Sequence, residues 1–496
     1  MSIPSPYLEI LATVLTLLVA IILYYHNAFQ FWAKKNIPFI PPRFPLGNTN
    51  VILPRGLTIG QLSKTFYDYF KQRGCKIGGV FLVTEPNLMV LDPDYIKNIL
   101  LKDFHYFVDR GFYFNEKTDP ISANLFTIDG DQWRNLRTKL TPTFTSSKMK
   151  IMYQTVKNCC TNMLEAIDKN RDVDRDLKEF LGRYTVDVVG SCAFGIECNS
   201  FKHPDAEFRK MGLKAFHFDF LRSIRAFFIA YLPKMSRKMG FPSNDKDIRE
   251  FFYNVVIETI QKREETQVKR NDFLQLLMDL RRSEILSLDE VAAQVFLFFT
   301  AGFETSSTTM TMCLYELAKE PQHQEKLRKE IEEKIGTGSE ITYESLFEMK
   351  FLDQVFCETL RKYPPGQTLN RRCVKNYTLP GTNTVIEKGT PILISAVGIH
   401  MDPEYYPDPE KFDPERFSEE NKKLRHPSVY LPFGDGPRNC IGMRFGTMQS
   451  KLGIASVVKN FRLSVSPITK PVRLDPNTFL LTTMDKIYFR MEKIVK

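Results

Sequence analysis

The chain has 496 residues, of which 43% are hydrophobic and 25% charged, an ordinary globular composition with enough length for a large buried core. Its 9 cysteines form an odd set with no Cys-x-x-Cys pair, which argues against a disulfide framework and a zinc site and for a reducing compartment. The net charge of +10 is dispersed, with no basic block interleaved with aromatics, so the charge points away from nucleic acid and towards an acidic membrane surface or an acidic protein partner.

Leu8 to Tyr25 is a nearly unbroken apolar run carrying one early charge, Glu9. A signal-peptide core is the rival reading. No Lys or Arg precedes the run, however, no small-residue cleavage site follows it, and Lys34 and Lys35 stand just beyond. These features predict a retained anchor over residues 1–33, with the bulk of the chain cytosolic. Pro38, Pro41, Pro42 and Pro45 then exclude helix and predict a stiff extended hinge over 34–48.

Residues 49–496 contain no repeat, low-complexity tract or second linker and read as one domain. Strand-like stretches are few: Gly79 to Val83 with Leu88 to Leu91, Tyr377 to Val385, and Pro391 to Ala396. Helical periodicity dominates between about Lys148 and Tyr363, so the expected fold is mainly α with a small β-sheet region. Phe220 to Pro233 mixes aromatics with Arg222 and Arg225, a composition that suits either a buried helix or a second contact at a membrane surface.

Ser287 followed by Glu290 forms a capping-box pattern ahead of an apolar run that continues without proline to Glu320. In its middle stand Ala301-Gly302-Phe303-Glu304-Thr305. Ala301 and Thr305 share a helix face and leave room for a flat ligand. Thr305 can bond back to a carbonyl or hold a water. Glu304 is costly to bury unless it is partnered or functional.

Phe433 to Gly442 reads Phe-Gly-Asp-Gly-Pro-Arg-Asn-Cys-Ile-Gly, a glycine-punctuated loop presenting Cys440 beside Arg438. A thiolate that binds a metal needs backbone N–H groups and nearby positive charge. Gly434, Gly436 and Gly442 let the backbone approach a flat ligand.

This loop resembles the haem-binding loop of the cytochrome P450 family, in which the cysteine is the axial ligand of haem iron. Ala-Gly-Phe-Glu-Thr is similar to the family's oxygen-binding helix segment, and every position matches. The resemblance covers essentially the whole chain and is closest to insect microsomal, xenobiotic-metabolising members. It implies the cytochrome P450 fold: a single haem domain behind an N-terminal anchor.

The resemblance also assigns residues. Cys440 would ligate iron of haem b (iron protoporphyrin IX), and Glu304 and Thr305 would be the acid–alcohol pair that supplies protons during dioxygen reduction. Trp133 and Arg137 match the family's Trp-x-x-x-Arg propionate contacts, joined by Arg371, Arg438 and Arg110, while Ala301, Phe433 and Gly442 border the macrocycle. Glu358 and Arg361 with Arg416 match its buried scaffold triad.

The implied reaction inserts one oxygen atom from O2 into a lipophilic small molecule at the endoplasmic reticulum membrane. No flavin or dinucleotide fingerprint is present, so electrons would come from NADPH-cytochrome P450 reductase, with cytochrome b5 as an optional donor. Lys139, Lys148, Lys150, Arg438 and Arg444 are the expected docking cations. Phe112, Phe114, Phe126, Phe216, Phe218, Phe296, Phe299, Thr368, Leu369 and Leu480 to Thr483 fall in segments that line the family's pocket. A biosynthetic oxygenase acting on a hormone or lipid, a haem-thiolate isomerase and an anchored haem sensor are the alternatives.

Overall fold

The computed structural model describes residues 5–49, 56–169, 174–203, 207–216, 219–270, 272–336 and 340–494. The apolar run forms one helix, Ser5–Phe29, exposed along nearly its whole length. Its Tyr7–Phe29 stretch has a mean hydropathy of 2.3, long and apolar enough to cross a bilayer.

The proline segment that follows is extended, but it is no free spacer. Ile40 N–H donates to Gly79 (3.0 Å) and Gly79 N–H to Pro38 (2.8 Å), zipping it to the first sheet strand. Trp32 lies buried beneath Gly79, where a Cβ would come within 2.4 Å of the indole.

That strand, Ile77–Leu82, opens a four-stranded sheet ordered Ile77–Leu82, Glu85–Val90, Pro391–Ser395, Thr368–Arg372. Tyr377 to Val385 is not one strand. Pro380 and Gly381 turn the chain, leaving two short strands, Tyr377–Thr378 and Val385–Ile386, paired with each other. Arg175–Asp176, Tyr488–Lys493 and Phe461–Val465 make a further sheet from distant parts of the chain.

Most of the remaining regular structure among the described residues is helix. The capping box closes as read: Ser287 Oγ accepts from Glu290 N–H at 3.1 Å, and Glu290 Oε2 accepts from Ser287 N–H at 2.8 Å. It starts a helix of 32 residues, Leu288–Lys319, most of whose side chains, polar ones such as Gln294 and Glu316 included, are buried. Glu320 caps it, and Pro321 begins the next helix. Gly302 fits it against helix Leu177–Val189, since a Cβ there would stand 2.9 Å from Val189. The helix Met443–Asn460, which starts three residues after Cys440, grips it from the other side: Gln449 Nε2 donates to the Gly302 carbonyl at 3.0 Å and to Ser306 Oγ at 2.6 Å.

Beneath the cysteine loop runs the buried scaffold. Arg361 donates through Nε and Nη2 to the two oxygens of Glu358 at 2.7 and 2.8 Å, and Arg416 Nε stands 3.5 Å from the same carboxylate. Such a pair is costly to desolvate alone, and here Asp413 N–H (2.9 Å) also donates to the carboxylate.

Candidate functional site

The loop before Cys440 turns through Gly434 and Gly436, both at positive φ (69° and 73°), and Cys440 N–H closes it on the Phe433 carbonyl at 2.8 Å. Gly436 differs from the sequence reading in one respect. The close approach it permits is to protein backbone: a Cβ would lie 1.8 Å from the Leu100 carbonyl oxygen. Gly442 faces open space, with nothing within 4 Å of where a Cβ would stand, and caps helix Met443–Asn460.

Cys440 is solvent-accessible although it lies deep in the fold. Burial pushes its thiol above the ordinary range, opposed by a hydrogen bond from Gly442 N–H and by Arg110 and Arg137. Ala301 is exposed in the middle of a helix whose nearby residues Phe303 and Glu304 are buried. A helix bordering a gap produces that pattern.

Arg110 and Arg137 act on the thiol, and Arg371 and Arg438 lie within electrostatic reach of Arg110. Arg137 spends both terminal nitrogens on Asn439, its carbonyl and its side-chain oxygen, each at 2.9 Å, so it clamps the loop directly. Arg438 is buried, stacks its guanidinium 4.8 Å from the Trp133 ring and reaches Asp129 at 3.1 Å. It therefore cannot serve in a docking face, contrary to the sequence reading. Arg110 donates to the Phe126 and Arg438 carbonyls at 3.2 and 3.0 Å. Desolvation, then Arg371 and Arg438, disfavour its charge. Arg371 is buried with Nε and Nη2 unpartnered, and Arg438 Nε is unpartnered as well.

Buried cations that disfavour one another and keep unused donors are poorly satisfied as they stand. An acidic ligand would supply the missing acceptors and charge, so the residues present fit a haem, which brings a soft-ligand site for a thiolate and two carboxylates.

In the long helix Thr305 Oγ1 donates to the Ala301 carbonyl at 2.6 Å. Glu304 is buried and partnered. Its Oε1 receives Lys178 Nζ (2.9 Å), Thr482 Oγ1 (3.0 Å) and Thr308 Oγ1 (3.3 Å). Lys178, Glu304 and Thr482 line a cavity of about 490 Å³ together with Phe216, Lys214, Asp219 and Arg222. Lys178 and Asp129 went unrecognised in the sequence, where neither stands in a motif.

Phe112 and Phe126 stack at 5.1 Å, and Phe479 meets Phe112 at 6.1 Å. Phe299 belongs instead to the core, fully buried among Phe194, Phe208, Phe252 and Phe303. Phe296 is also buried, beside Phe252, and Phe114 packs on the core with Arg237 over its ring. Thr368, Leu369, Leu480 and Thr483 are half-buried, whereas Leu481 is buried. Phe218 lies outside the described residues.

A mainly helical fold that holds an accessible thiol near unsatisfied arginines is that of a haem-thiolate oxidoreductase. The chain belongs to the cytochrome P450 family, whose family model matches residues 42–491. It is 42% identical over 483 residues to Cytochrome P450 6A1 of Musca domestica, covering 94% of each chain. It is 41% identical over 504 residues to Cytochrome P450 6a8 of Drosophila melanogaster, covering 98% of this chain and 99% of that one. Membership makes it a haem-iron monooxygenase that uses O2, a substrate and electrons from a redox partner.

Proposed function

We propose that this monooxygenase oxidises lipophilic small molecules such as plant toxins and insecticides. Its electrons come from NADPH through a separate flavoprotein reductase, with cytochrome b5 as a further donor. The helix Ser5–Phe29 anchors it in the endoplasmic reticulum membrane, the stretch 34–48 joins anchor to body, and 49–496 is the catalytic domain on the cytosolic side. The insect relatives and the aromatic cluster Phe112, Phe126, Phe479 support the substrate class.

The observation that carries the site assignment is the set of unpartnered nitrogens on buried Arg371 and Arg438, both within electrostatic reach of Arg110, which also feels Cys440. In this reading Cys440 ligates the iron of haem b. Arg371 and Arg438 would offer their unpartnered nitrogens to its carboxylates with Arg110 and Trp133 near them, Arg137 would hold the loop through Asn439, and Ala301, Phe433 and Gly442 would lie against the group. The haem supplies the site at which dioxygen is reduced and one oxygen atom is inserted into substrate.

The protein's own part is to bind, orient and deliver protons. Glu304 Oε1 stands at the wall of the cavity with Lys178, where it can exchange a proton with solvent. Thr305 points its hydroxyl hydrogen at the Ala301 carbonyl, which leaves its oxygen lone pairs free to accept from a water on the groove side.

Lys139, Lys150 and Arg444 are exposed and Lys148 half-exposed, which suits docking of an acidic reductase. Membranes containing the protein and a reductase test the reading. Lipophilic compounds should stimulate NADPH consumption and yield hydroxylated product in a reductase-dependent manner. Turnover that persists without reductase or O2 contradicts it.

A further inference from the structure

His400 ends the short helix Ala396–His400, in no motif of the site, and is fully buried. Its ring nitrogens face two different backbones. Nε2 lies 2.8 Å from the Leu431 amide nitrogen, and Nδ1 lies 3.2 Å from the Arg361 carbonyl oxygen. An amide N–H can only donate, so Nε2 is the unprotonated acceptor and Nδ1 carries the hydrogen given to Arg361. The Arg361 guanidinium returns the contact, donating through Nη1 to the His400 carbonyl at 2.9 Å. Tyr430 stacks on the imidazole at 5.7 Å, which fixes the ring plane.

Leu431 is where the chain enters the cysteine loop. Its carbonyl accepts from Gly434 N–H at 3.1 Å, closing the turn that sets Phe433, and the Phe433 carbonyl receives Cys440 N–H at 2.8 Å. Hydrogen bonds and the short stretches of covalent chain between them thus link the Glu358–Arg361 pair through His400 and Leu431 to the backbone of Cys440. Leu431 is itself fully buried, so no solvent molecule stands ready to replace the imidazole as acceptor for its N–H.

We propose that His400 is a positioning residue for the sulfur ligand: through Nε2 it holds the entry of the cysteine loop to the buried Glu358–Arg361–Arg416 scaffold. This rests on the reading of Cys440 as the haem ligand. The ring suits a static role. Burial first, then Arg361, drops its pKa to about 3, so it stays neutral in a single tautomer across the working range. Arg361, Tyr406 and Tyr430 are the titratable groups around it.

Two substitutions separate the two ring nitrogens. In His400→Gln the side-chain oxygen reaches the place of Nε2 and keeps an acceptor for Leu431. In His400→Asn the shorter amide reaches only the place of Nδ1, keeping the donor to Arg361 and losing that acceptor. Parent and both variants are purified with haem, and their reduced, carbon-monoxide-bound spectra are divided into thiolate-ligated and non-thiolate fractions.

The expected result is a parent-like thiolate fraction in His400→Gln and a several-fold larger non-thiolate fraction in His400→Asn. Equal retention in both variants, equal loss in both (by misfolding included), or the reverse order overturns the inference, because ring volume rather than the Nε2 acceptor would then be what matters. A parent that lacks the thiolate spectrum defeats the underlying reading of Cys440 instead.

Discussion

Adding one methyl group to Gly436 tests whether the cysteine loop is as tightly seated as the geometry requires. The residue sits at φ 73°, and the new Cβ would stand 1.8 Å from the Leu100 oxygen and 2.8 Å from its carbon. Leu100 is fully buried in the turn Asn98–Lys102, so neither backbone can move away alone. A non-glycine residue in the left-handed region costs about 1–2 kcal/mol. Relieving an overlap in a packed interior adds about 1–3 kcal/mol. The sum, about 2–5 kcal/mol, is a large share of the roughly 5–15 kcal/mol that holds a typical protein folded.

Gly434→Ala isolates the first contribution. Its φ is 69°, but the nearest atom to a Cβ is 3.6 Å away, so it should lose about 1–2 kcal/mol. Urea unfolding of the haem-loaded proteins, followed by haem release, measures both. If Gly436→Ala proves no less stable than Gly434→Ala, the close seat of the loop on Leu100 is wrong.

Three further outcomes follow from the site. Glu304→Gln should slow product formation by roughly 10²-fold while NADPH consumption falls much less, since proton supply rather than electron supply is impaired; an equal fall in both rates would count against that role. Arg371→Met removes a buried cation whose Nε and Nη2 lack partners, so it should speed transfer of haem to a haem-free acceptor protein without destabilising the haem-free form; unchanged transfer would place the haem carboxylates elsewhere. His400 carries a pH signature. Its folded pKa of about 3 lies below its ordinary 6.5, so the unfolded chain binds the extra proton. The associated stability is complete above pH 6.5 and is lost as pH falls towards 3, at up to about 1.4 kcal/mol per pH unit. Acid unfolding of His400→Gln should therefore be shallower than that of the parent by nearly one proton, and equal slopes would contradict the buried neutral ring.

What the sequence made legible was local. The capping box at Ser287 and Glu290 involves neighbours within one turn, and it starts the long helix where read. The cysteine loop and the Ala301–Thr305 segment are contiguous, so their chemistry could be read from residue order alone. Contacts made across the chain were not. Thr482 reaches Glu304 over 178 residues, and no local pattern marks Lys178 as its ion partner. The strand Thr368–Arg372 was missed because its polar residues carry the site and hide the alternation of a half-buried strand. Phe461–Val465 and Tyr488–Lys493 were missed because each becomes a strand only by pairing with the other. Arg438 was misread as a surface cation because sequence shows its charge and conceals its burial.

The proposed chemistry depends on one bond, between the sulfur of Cys440 and haem iron. Reduced, carbon-monoxide-bound spectra of the purified parent and of Cys440→Ser decide it most directly. The parent is predicted to show the thiolate-ligated band and the serine variant to lack it, with haem either lost or ligated without sulfur. The same thiolate band in both proteins would contradict the assignment.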